Sequence, residues 1–136
     1  MARLDVLPVE AIEDLDLRKM MQESRGDEMF GVYGHHPSLF KSFLKFYMSA
    51  KFSGLLPFNL KELVRLRVAA LNDCLRWQLS RAPSGREPGE YDKLLKKLSD
   101  DAELSPREAM ALDFAERMAI AHDSMDDAFM KNMREH

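Results

Sequence analysis

The chain has 136 residues, with 20 Lys plus Arg against 23 Asp plus Glu, a net charge of -3, 46% hydrophobic residues and one Cys. That apolar load sets aside a disordered chain, the interspersed charge offers no field for a phosphate backbone, and one Cys excludes an internal disulfide or a four-Cys metal site. No apolar run approaches the roughly 20 residues that span a bilayer, and Met1 to Pro8 lacks the apolar stretch of a signal peptide, so the expectation is one compact cytoplasmic domain over 1–136, with no nucleic-acid or membrane partner.

Pro8 predicts the first turn of a helix over about residues 8–25, with Val9, Ile12 and Leu15 at spacing three and Glu10, Glu13 and Asp14 near its positive end. Gly26 ends it or follows its end, and Phe30-Gly31-Val32-Tyr33-Gly34 reads as a connection, with His35 and His36 after it as loop or cap residues. A second helix begins near Pro37, places Leu39, Phe40, Phe43, Leu44, Tyr47 and Met48 on one stripe, and stops at Gly54. Leu55-Leu56-Pro57-Phe58 is an apolar connector. Asn59 and Glu62 then have the spacing of a capping box for a third helix through Leu63, Val64, Leu66, Ala70 and Leu71. At Asn72-Asp73 two readings stand: a break with a restart at Cys74, or one helix continuing to Arg81.

Residues 83 to 90 hold two Pro and two Gly and read as a loop, followed by a short amphipathic helix from Tyr91 to Leu98. Ser105-Pro106-Arg107-Glu108 supplies an N-cap, a first-turn Pro and a capping-box Glu. That helix buries Ala111, Leu112, Ala115 and Met118, and His122-Asp123-Ser124 divides it from a last helix with Met125, Phe129 and Met133. No strand pattern and no internal repeat intervenes, so the architecture is an all-α bundle. The ten Met fill gaps between helices or a subunit interface.

The stretch with chemical potential is Glu62 to Arg81. The His36-Pro37 helix, the Gly54-Leu55-Leu56-Pro57 connector, the run Glu62-Leu-Val-Arg-Leu-Arg-Val-Ala-Ala-Leu-Asn72 and Ala111-Leu-Asp-Phe-Ala-Glu116 together resemble the alkylhydroperoxidase D and carboxymuconolactone decarboxylase superfamily. The resemblance covers most of residues 36 to 135. It implies an alkylhydroperoxidase-like helical bundle, usually a homo-oligomer, working without metal or organic cofactor. In the peroxide-reducing branch a Glu precedes by twelve residues the first Cys of a Cys-x-x-Cys pair, and a His follows four residues after the second Cys. Glu62 and Cys74 match that pattern, while Trp77 and Arg81 occupy the places of the second Cys and the His.

Those departures shape the chemistry. Trp77 supplies no resolving thiol and Arg81 shuttles no proton, so an internal dithiol cycle is excluded and an external thiol must complete any turnover. The resemblance implies a peroxiredoxin-type antioxidant oxidoreductase with Cys74 as its redox thiol and Glu62 as base. A second reading is a small-carboxylate lyase in which Arg81 anchors the anion beside Trp77, and a third is a non-catalytic oligomeric member of the same fold. Each residue also has a plain alternative: Cys74 as a small buried hydrophobe, Glu62 as a capping acceptor, Trp77 as core or interface filler, and Arg65, Arg67 and Arg76 as a solvated or ion-paired face. On one straight helix Glu62 and Cys74 stand roughly 18 Å apart along the axis and about 120° apart around it, so a shared proton requires the break or a neighbouring subunit. The heavy apolar load of Phe40, Phe43, Phe46, Tyr47, Phe52 and Phe58 points to that neighbour, and an oligomer is expected.

Overall fold

Local hydrogen bonding decides where the helices start. The computed structural model describes residues 3–24, 28–80, 89–100 and 103–136, and among them every regular element is helical. The backbone packing forms two compact units, Met1–Gly54 and Leu55–His136.

In the first unit the expected helix from Pro8 is broken. A 3-10 turn at Val9–Ala11 is followed by extended Ile12 and Asp14, and α1 runs only over Leu15–Glu23. The cause is a competing cap: the Asp14 carboxylate accepts from the Leu17 N–H at 3.1 Å, which starts a new helix at Leu15. Arg18 stabilises the kink by donating from Nε to the Ile12 carbonyl at 2.9 Å, and the extended backbone puts Ile12 fully inside. The stretch expected as a connection after it is helical, forming α2 over Glu28–Tyr33. Gly31 is required there by a close approach, since a Cβ would lie 2.5 Å from the Leu7 carbonyl oxygen. The expected stop at Gly26 lies outside the described residues. Helix α3, Pro37–Phe52, begins as read, with His36 as its N-cap and Pro37 in the first turn. His35 holds the Asp5 carbonyl at 2.8 Å, a structural role like the cap of His36. Ile12, Leu17, Met21, Phe30 and Phe40 form this unit's core.

The second unit is built around α4, Phe58–Leu71, which packs against α5, Leu75–Leu79, α6, Glu90–Ser99, and α7, Pro106–Ile120. Helix α8, Asp127–Met133, closes the chain after a 3-10 turn at His122–Ser124. Leu63 and Leu66 of α4 meet Leu94 and Leu112 in one core, with Val64, Tyr91, Leu98 and Leu104 at its edge. The Asn59–Glu62 capping box does not form: Pro57 stands at the N-cap without a side-chain bond, and Asn59 Nδ2 donates to Glu90 Oε1 at 2.8 Å. Glu62 is thereby left to another task. The Ser105–Glu108 capping box does form, and Glu108 also receives Lys97 Nζ at 2.7 and 2.8 Å. Leu112 and Ala115 are buried as expected, whereas Met118 lies on the exposed side, 55% exposed.

Candidate active site

The chain breaks between Leu71 and Leu75, so the open choice at Asn72-Asp73 resolves in favour of a restart. Asp73 takes a left-handed conformation, φ 47°, its N–H donates to the Ala70 carbonyl at 3.1 Å, and the Cys74 N–H donates to the Ala69 carbonyl at 2.9 Å. These two bonds are a Schellman ending of α4 with Asp where Gly is usual. They leave Cys74, half-buried, as the N-cap residue of the five-residue helix α5.

Glu62 is 1% exposed, the one buried charged residue among the described residues. Burial of a carboxylate demands donors, and the second unit supplies them from two helices. Arg65, one turn along α4, grips it with both sides of its fork, Nε to Oε1 at 3.1 Å and Nη2 to Oε2 at 3.0 Å. The Tyr91 hydroxyl of α6 donates to Oε2 at 2.8 Å. Arg65 reaches onward from the same guanidinium: Nη1 donates to the Trp77 carbonyl, Nη2 donates to the Ser80 carbonyl at 3.1 Å, and the cation lies 6.0 Å from the Trp77 ring centre. The carbonyls at the end of α5, which the helix itself cannot satisfy, thus face a cation. The start of α5 is tied back as well, because the Cys74 N–H donates to the Ala69 carbonyl, which also takes the side-chain amide of Gln78 from the fourth residue of α5.

The residues singled out from sequence therefore separate. Glu62 and Trp77 are joined through Arg65, Cys74 sits on the segment that Arg65 holds, and Arg81 lies outside the described residues. Arg65 and Tyr91 were missed as site residues. The signal for Arg65 was local, three residues after a Glu on the buried stripe of Leu63 and Leu66. Tyr91 shares spacings of three and four with Leu94 and Leu98, which turns its ring to the core and obliges its hydroxyl to find an acceptor. Arg67 also leaves the solvated face, pairing with Glu116 at 3.3 Å. Beside this cluster an apolar groove of about 360 Å³ is lined by Leu66, Ala70, Gln78, Leu79, Leu95 and Leu98. Among the described residues no group of three His, Cys, Asp or Glu is placed to hold a metal ion, and no helix is long and apolar enough to cross a membrane.

Helical in every regular element among the described residues, the chain has the alkylhydroperoxidase-like helical fold. Among solved structures it is similar to the alkylhydroperoxidase AhpD core of an uncharacterized peroxidase-related protein from Ralstonia eutropha JMP134, with 22% identity and a TM-score of 0.69 over 98% of this chain and 75% of that one. No family model and no curated protein matches the sequence.

Proposed function

We propose that the chain is a thiol-dependent peroxide reductase in which Cys74 is the reacting thiol and an external thiol the reductant. The observation that carries this reading is the break at Asp73: in an alkylhydroperoxidase-like fold it lifts a single, half-buried Cys out of the long helix and onto a short arm held by charged groups.

The chemistry balances with one protein sulfur. The Cys74 thiolate attacks one peroxide oxygen, an S–O bond forms, the O–O bond breaks, and the departing oxygen takes a proton to leave as alcohol or water. The sulfur becomes a sulfenic acid. A first external thiol then forms a mixed disulfide and releases water, and a second external thiol releases Cys74 and carries away the disulfide. Glu62 is in this reading the buried acid that fixes Arg65, with the Tyr91 hydroxyl proton beside it. The reducing cytoplasm supplies thiols of the required kind.

The test is consumption of tert-butyl hydroperoxide in the presence of dithiothreitol, with Cys74→Ser alongside and dimedone as a trap for the sulfenic acid. Turnover that the substitution abolishes, with a dimedone adduct on Cys74, is the expected result. Absence of both turnover and adduct in the wild-type protein overturns the proposal and leaves a non-catalytic member of the fold.

A further inference from the structure

We infer that Arg65 is the positioning residue for Cys74, acting through α5; the inference deepens the proposal above and rests on it for its catalytic meaning. Five residues make too short a helix to persist by their own backbone bonds, so α5 takes its place from what it is tied to. At the Cys74 end the tie is the Cys74 N–H on the Ala69 carbonyl, an acceptor that the Gln78 side chain also reaches from near the far end. At the far end it is Arg65, which reaches the carbonyls of Trp77 and Ser80. Arg65 in turn is oriented by Glu62, whose burial permits little movement of the pair. A guanidinium suits this because its planar donors serve a carboxylate on one side and two carbonyls on the other, whereas an ammonium concentrates its donors at one point. The effect of Glu62 on the thiol is then indirect, through Arg65 and the arm.

The decisive variant is Arg65→Lys, which keeps a cation against Glu62 and loses the reach to both carbonyls. Two readouts on Cys74 are compared: alkylation by iodoacetamide, which reports access, and reduction of tert-butyl hydroperoxide with dithiothreitol, which needs alignment. With the arm released, alkylation is expected to rise severalfold while peroxide reduction falls by roughly tenfold to a hundredfold, the scale set by misplacing a reacting group by about 1 Å. Unfolding would give the same pattern, so both rates are read at a temperature where circular dichroism shows each variant fully folded. Lys97→Met, which breaks the pair with Glu108 elsewhere in the same unit, is expected to lower the melting temperature and leave both Cys74 rates in place. Should Arg65→Lys fold poorly, the apolar pair Glu62→Leu with Arg65→Met removes the tether without leaving a buried charge and serves the same comparison. Unchanged rates in the variants overturn the inference even if the wild-type protein reduces peroxide. Altered alkylation in the Arg65 variants, when the wild-type protein shows no peroxide turnover, retires the peroxidase reading and upholds Arg65 as the tether of the Cys74 arm.

Discussion

Asp73 is the one described non-glycine residue with positive φ, at 47°. An L side chain there brings Cβ towards the carbonyl, a cost that Asp and Asn bear better than most residues and that glycine escapes. Asp73→Gly is expected to stabilise the second unit by about 0.5–1 kcal/mol, the relief of strain at the helix ending exceeding the added freedom of the unfolded chain. Urea denaturation read by circular dichroism measures it. A loss of stability on this substitution means that the Asp73 side chain contributes more to the break than its backbone costs. Glu62, near the other end of α4, presents the opposite case, a charge met by donors: two from Arg65 and one from Tyr91 reach its two oxygens.

Elements whose ends are set by neighbours in sequence were legible, and those set across space were not. Helices α3 and α7 start where Pro37 and Pro106 follow a capping side chain, a signal complete within four residues. Helix α2 was read as a connection because Gly31 and Gly34 punctuate it, yet Gly31 serves the close approach of Leu7, twenty-four residues earlier. The site follows the same division: Glu62 and Cys74 came from the resemblance to a family's sequence pattern, while Tyr91, 29 residues from Glu62, came into view only with the packing of α6 on α4. The capping box of α7 carries a pH dependence. Burial pushes the Glu108 carboxyl up, but hydrogen bonds from Lys97 and from the Ser105 backbone and hydroxyl outweigh it and hold the group below its ordinary value of 4.5. A carboxyl lowered on folding stabilises the folded state above its unfolded value and loses that contribution as pH falls through the folded one. The melting temperature of the wild-type protein is therefore expected to drop on acidification below about pH 4.5 by more than that of Glu108→Gln. Parallel melting curves for the two proteins across that range contradict the assignment.

Each unit has its own buried cluster, and each also presents large apolar side chains outward. On α3 only Phe40 is buried, while Leu39 is 64% and Phe46 72% exposed. In the second unit Leu75, Leu79 and Ile120 are each more than 60% exposed. Single exposed apolar residues need no explanation, but several on consecutive turns of one helix form a surface that water solvates poorly. Self-association is the economical outcome for a chain of net charge -3, whose repulsion between copies is slight, and the isologous pairing of two α3 faces is the simplest geometry that removes them from water. Light scattering is expected to give a multiple of 15.7 kDa, and Phe46→Glu, which places a charge on that face without entering the core, is expected to return the mass towards the monomer. If Phe46→Glu leaves the multiple intact, the contact lies elsewhere, and Ile120→Glu tests the second unit in the same way. A wild-type protein that remains at 15.7 kDa at every concentration shows instead that both faces tolerate water as they stand.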